Sequence, residues 1–128
     1  MAYYQGVDLK KPTGGKKRPH RGKRKHELGS PPTMTRLGSA DLRELERGRG
    51  GNFKVRLKSA LYINVVTQDG YKKARILDVV ETPSNPQLAR SKIITKGTIV
   101  RTELGLVKVT SRPGQHGVLN GVLLKGSA

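Results

Sequence analysis

Cysteine and tryptophan are both absent from this chain of 128 residues. Without thiols there is no disulfide scaffold, no thiolate zinc site and no cysteine nucleophile. No stretch approaches the ~20 apolar residues of a membrane-spanning helix, and the first residues lack the apolar core of a secretory signal. Pro12, Pro19 and several glycines interrupt the most basic stretch before an amphipathic helix can form, so a membrane partner is not expected. Carboxylates are scarce, 9 Asp and Glu against 26 Lys and Arg. None forms the facing pair that general acid–base or glycosidic chemistry requires. No serine sits in a Gly-x-Ser-x-Gly setting. His20, His26 and His116 are scattered, and no thiolate or carboxylate pair completes a coordination sphere around them, so neither a metal nor a cofactor is expected. These absences exclude every familiar catalytic constellation and leave no site for a small-molecule substrate.

What the chain does have is positive charge. The net charge is +17 and the isoelectric point is about 10.8. A field of that sign and size attracts polyanions, nucleic acid first among them. From Lys10 to His26, nine of seventeen residues are cationic (Lys10, Lys11, Lys16, Lys17, Arg18, Arg21, Lys23, Arg24 and Lys25) and none is acidic. This segment has glycines but no Val, Ile or Leu, so it cannot bury enough apolar surface to offset its ordering entropy. It is expected to order on RNA. His20 and His26 within it suit stacking on a base or hydrogen bonding to phosphate. A solvated charge run, a localisation signal or a solubility tail is the alternative for a basic block read in isolation.

The apolar residues lie elsewhere. Residues 1–58 hold eight Val, Ile or Leu, whereas residues 59–128 hold 22, of which 14 are the β-branched Val and Ile. Basic residues divide the other way, 16 before position 59 and 10 after it. The reading is therefore a basic N-terminal extension over 1–52 and a β domain over 53–128. Six strands are expected after residue 60: 61–67, 71–80, 90–95, 98–104, 106–111 and 117–124. Asp69-Gly70 suits a type I′ hairpin and Lys96-Gly97 a second one, while Asn120-Gly121 marks a turn or bulge. Pro83 and Pro86 make 82–87 an irregular connection. Short strands with both faces partly apolar favour closure, so the fold class is mainly β, a small closed six-stranded barrel with the extension attached. Residues 39–47 read equally well as a short helix capped by Ser39 or as extended chain.

Several motifs bear on binding. Gly15 to Arg24 is not a nucleotide phosphate loop, because six residues separate its glycines and Arg24 stands where a Ser or Thr would hold magnesium. Thr13-Gly14-Gly15 offers instead backbone amides and close approach to a phosphate. Arg47-Gly48-Arg49-Gly50-Gly51 resembles a short Arg-Gly box. In Phe53 to Lys58 apolar and basic residues alternate, so a strand there sets Lys54, Arg56 and Lys58 on one face, either along a phosphate backbone or simply in solvent. The five aromatics are not interleaved as in an RNA-recognition sheet, so charge and backbone complementarity are expected to dominate over stacking.

Thr13-Gly14-Gly15 followed by Arg21-x-Lys23-x-Lys25-x-Glu27-Leu28-Gly29 resembles the signature of the small-subunit ribosomal protein eight family of archaeal and eukaryotic type, which is unrelated to the bacterial-type protein eight. Arg47 to Asn52, Ala74 to Val80 and Ser111 to Gly117 resemble later blocks of the same family, so the resemblance covers most of the chain. It implies a structural constituent of the small subunit in the cytoplasmic ribosome, one copy per subunit, whose basic extension threads into ribosomal RNA while a barrel docks beside neighbouring ribosomal proteins. The tight Leu104-Gly105-Leu106 connection stands where eukaryotic members carry a long insertion, so the chain resembles the archaeal members. The candidate RNA contacts are Lys10, Lys11, Thr13, Gly14, Gly15, Lys16, Lys17, Arg18, His20, Arg21, Lys23, Arg24, Lys25, His26, Arg36, Arg47, Arg49, Lys54, Arg56 and Arg112. Arg18, Arg21 and Arg24 are the expected bidentate phosphate clamps, since a planar guanidinium fork matches that geometry.

Overall fold

The computed structural model describes residues 3–6, 10–18 and 20–124. Pro19, expected to help break the basic run, lies outside them. The chain divides into two compact units, Met1–Pro32 and Thr33–Ala128.

In the first unit, β1 (Tyr3–Tyr4) pairs antiparallel with β2 (Leu28–Gly29), with Tyr3 opposite Gly29 and Tyr4 opposite Leu28. A turn of 3-10 helix, Lys25–Glu27, leads into β2. Two-residue strands of this kind contribute little by themselves, and the unit has no buried residue among those described.

The second unit begins with a three-stranded sheet in the order β3-β5-β4, made of β3 (Arg36–Leu37), β4 (Leu42–Arg47) and β5 (Phe53–Ala60). Residues 39–47, for which helix and extended chain were equally open, are thus extended over 42–47. The choice is made by the partner: Glu44 faces Arg56, Leu45 faces Val55 and Glu46 faces Lys54 across an antiparallel ladder that an isolated helix would forgo. Asp41 caps no helix; its Oδ1 accepts from the amides of Leu61 at 2.7 Å and Tyr62 at 3.3 Å.

A closed barrel follows, built from β6 (Tyr62–Thr67), β7 (Gly70–Glu81), β8 (Ile99–Thr102), β9 (Gly105–Val109) and β10 (Asn120–Leu123). The fold is mainly β as expected, but the barrel has five strands and not six. The missing one is 90–95. Asn85-Pro86 starts a short helix, α1 (Pro86–Arg90), with Pro at its first turn and the Asn85 side chain accepting from the Gln87 amide at 3.2 Å. Ile93 and Ile94 beyond it are both buried, a pattern that alternation in a half-exposed strand cannot produce. A second short helix, α2 (Pro113–His116), precedes β10.

The turns shift accordingly. The β6–β7 hairpin turns at Gln68–Asp69 and opens β7 with Gly70, whose φ is +121°. A type I′ turn needs positive φ at both central residues, and neither has it. Lys96-Gly97 joins no two paired strands, since the β8 hairpin turns instead at Glu103–Leu104 into β9. Asn120-Gly121 lies inside β10, which closes the barrel by running parallel to β6 and antiparallel to β9. A Cβ on Gly121 would lie 2.5 Å from Val107 Cγ1 and 2.8 Å from the Lys108 carbonyl, so this strand closes only without a side chain there.

Inward positions alternate as strands require: Ile63 and Val65, Ala74 and Ile76, Val107 and Val109 are all buried, and Val79, Val100 and Leu119 join them. Leu57 and Ala60 of β5 pack into the same cluster, which ties the three-stranded sheet to the barrel. Each buried Val, Leu or Ile side chain among these contributes about 1.5–3 kcal/mol over an exposed position.

Candidate nucleic-acid interface

All candidate residues from Lys10 to His26 are exposed. They are arranged by two local devices. The first is a tight turn: Lys11 N–H donates to the Gly15 carbonyl at 2.7 Å, Gly14 N–H donates to the Lys11 carbonyl at 2.9 Å, and Lys10 and Lys16 form an antiparallel bridge. Gly14 has φ +90°, and no heavy atom of the described residues lies within 4 Å of where its Cβ would stand. The Gly14 amide, expected to be offered to a phosphate, is thus committed to the chain itself. The turn contributes an open backbone flanked by Lys10, Lys11, Lys16 and Lys17.

The second device is Glu27. Arg21 Nη2 forms an ion pair with its Oε1, His26 Nε2 lies 3.6 Å from the same oxygen, and the Arg24 amide donates to Oε2 at 3.5 Å. Partial burial pushes the Glu27 carboxyl up, but the Arg21 hydrogen bond, the Arg24 amide and the charges of Arg21 and His26 outweigh it and hold the group below the ordinary glutamate value. Lys23 Nζ stands 5.1 Å from the centre of the Tyr4 ring, a cation–π contact. Of the three expected clamps, Arg21 is therefore engaged by a carboxylate, whereas Arg18 and Arg24 make no ion pair among the described residues.

In the second unit, Arg36 on β3 and Arg47 and Arg49 at the β4–β5 connection are exposed. That connection is held by the Asn52 side chain, which donates to the Arg49 carbonyl at 3.0 Å. Phe53–Lys58 forms a strand as expected, but its basic row has partners. Lys54 Nζ donates to Gln115 Oε1 at 2.8 Å, Arg56 pairs with Glu46 and reaches Thr33 Oγ1 at 3.2 Å, and Lys58 Nζ lies 3.2 Å from Glu44 Oε2. Arg112 is exposed beside α2, and its amide donates to His116 Nδ1 at 3.1 Å, which gives His116 a structural task that its isolated position in sequence did not suggest. Arg43, outside the candidate set, donates to the Gly117 carbonyl at 2.7 Å and lies 3.6 Å from Asp41.

The description "Ribosomal protein S8e" belongs to a family profile that matches residues 4–124. The chain belongs to the S8e family. A small ribosomal subunit protein eS8 from Staphylothermus marinus is 68% identical over 127 residues, covering 98% of this chain and 99% of that relative. Proteins of the same name from Hyperthermus butylicus and Sulfurisphaera tokodaii are 59% and 56% identical, each over 98% of this chain and over 94% and 99% of the relative respectively. The resemblance drawn from the Thr13 to Gly29 signature and the three later blocks is thereby established as family membership, with these relatives archaeal.

Proposed function

We propose that this S8e chain is a structural, non-enzymatic component of the small ribosomal subunit in the cytoplasm, binding ribosomal RNA chiefly through its basic first 52 residues. The observation that carries the reading is the exposed run from Lys10 to Lys25, in which Lys16, Lys17, Arg18, Arg24 and Lys25 make no ion pair among the described residues. Cations left without carboxylates are available to phosphate, and their binding releases condensed counterions. Arg36, Arg47, Arg49 and Arg112 extend the contact from the second unit. Lys54 and Arg56 contribute to it only by exchanging their present partners for phosphate. The folded body that sits beside neighbouring ribosomal proteins, one copy per subunit, is the second unit, Thr33–Ala128, in which β3 and β4 join the β domain over 53–128.

The test is sedimentation of the tagged protein at physiological and raised salt, with its ratio to small-subunit RNA. One copy per subunit that survives a salt wash is expected. Salt-labile association that scales with RNA length would instead identify a general nucleic-acid coat.

A further inference from the structure

The outer face of the barrel carries a group of side chains that the candidate RNA contacts do not include. Across β10, β6 and β7 the register aligns Asn120, Asn64 and Lys73 in one row, and Val122, Val66 and Tyr71 in the next. Together with Lys72, five of these six line an open groove of about 440 Å³: Asn64, Val66, Tyr71, Lys73 and Asn120. The groove has three properties. Asn64 Nδ2 donates to Asn120 Oδ1 at 3.1 Å, which leaves the Asn64 carbonyl oxygen as an acceptor and the Asn120 amide as a donor on two neighbouring exposed residues. Tyr71 is 82% exposed, far more than a ring whose burial served the barrel. No lining residue is acidic, and neither Lys72 nor Lys73 makes an ion pair among the described residues; Lys73 Nζ rests instead over the Tyr62 ring at 4.5 Å.

Adjacent donor and acceptor atoms match the edge of a nucleobase, an exposed ring supplies a stacking surface, and unpaired lysines suit the phosphate that follows. An acidic peptide would satisfy the lysines but leave the amide pair and the ring without matching groups. We propose that this groove holds one unpaired nucleotide of RNA, its base stacked on Tyr71 with an edge on Asn64 and Asn120, and its phosphate near Lys73. The proposal rests on the ribosomal RNA reading above and adds to it a contact that depends on a base, not on charge alone.

The test uses the full chain with a ten-nucleotide unpaired RNA of mixed sequence and a duplex of the same length. The unpaired RNA is expected to shift the side-chain amide resonances of Asn64 and Asn120, and the duplex is not. Tyr71→Ala should weaken the unpaired RNA on the order of tenfold while Tyr71→Phe retains it, since stacking needs the ring and not the hydroxyl. Tyr71 is too exposed for either change to unfold the barrel, which far-UV circular dichroism checks. A variant with Lys23, Arg24 and Lys25 changed to Ala separates the two readings. If it weakens binding and Tyr71→Ala does not, the groove is not a nucleotide site and the general RNA reading stands; if neither weakens binding, both fall. Cross-linking from position 71 in assembled subunits to protein and never to RNA would assign the groove to a protein neighbour and overturn the proposal.

Discussion

Two rows of cations in this chain look alike in sequence and differ in structure. Lys16, Lys17, Arg18, Arg24 and Lys25 lie exposed with no carboxylate among them, and Glu27 just beyond takes up Arg21. Lys54, Arg56 and Lys58 lie on β5 opposite a strand that brings Glu44 and Glu46 into register with them. Local charge density is therefore a poor guide to which cations are available. The decisive quantity is how many carboxylates the fold places within ~4 Å, because an ion pair must be broken before a phosphate can replace it.

The largest effect should come from the open row. Changing Lys23, Arg24 and Lys25 to Ala removes up to three phosphate partners, and the slope of log affinity against log salt for ribosomal RNA should become shallower by about 2 to 3. The barrel should remain folded, because these residues belong to the first unit. An unchanged slope would remove the distinction between the two rows. Next in size is the turn. Among the described residues, Gly15 has only Thr13 Oγ1, at 3.7 Å, near the position of a Cβ, so there is room for a side chain there. Gly15→Val should weaken RNA binding more than Lys16→Ala, because it fills the space through which a phosphate approaches the backbone. Equal affinities of the two variants would show that the backbone is not approached.

The paired row should behave in the opposite manner. Arg56→Ala removes the ion pair between Arg56 and Glu46 and should lower stability by about 1 kcal/mol, measured by denaturant unfolding. Its effect on RNA affinity should stay within about twofold. A large loss of affinity with unchanged stability would place Arg56 on phosphate after all.

The barrel strands were legible wherever period-2 alternation and a nearby glycine coincided, as in 62–67 and 105–109. The error at 90–95 has a physical origin. Pro86 breaks a ladder, but behind Asn85 it also begins a helix, and the apolar pair Ile93-Ile94 fits a buried connection as well as a strand. Asn120-Gly121 suits a turn or a bulge by local sequence, which cannot show that Val107 will lie against Gly121. The candidate interface was legible in residue type but not in pairing. A signal did exist: acidic residues alternate at Glu44 and Glu46 just as basic ones alternate at Lys54, Arg56 and Lys58, with a glycine-rich connection between, which is the pattern of a charge-complementary hairpin. The groove at Asn64 and Asn120 had no such signal, since 56 residues separate the two amides and only closure of the barrel unites them.

The smallest effect concerns a pair outside the candidate RNA contacts. Lys92 Nζ donates to Asp78 Oδ1 at 2.5 Å, and the Val79 amide donates to the same oxygen at 2.8 Å. The Lys92 hydrogen bond, the Val79 amide and the charges of Lys92 and Arg101 outweigh a smaller opposing effect of burial and hold the Asp78 carboxyl below its ordinary value of 3.8. A carboxyl depressed in the folded state binds its proton less readily there than in the unfolded chain. Its stabilisation is thus fully present above the unfolded value and disappears as pH falls from about 3.8 through the lower folded value. Both side chains are nearly half exposed, 45% for Asp78 and 48% for Lys92, so solvent screening limits the contribution to a few tenths of a kcal/mol. Asp78→Asn should flatten the acid limb of the stability curve by that amount, in denaturant melts between neutral pH and pH 3, and leave RNA affinity at neutral pH unchanged. An equally steep acid limb in the variant would transfer the acid sensitivity to other carboxylates, Glu27 of the first unit foremost, whose depressed value gives it the same sign of dependence as pH falls below its ordinary 4.5.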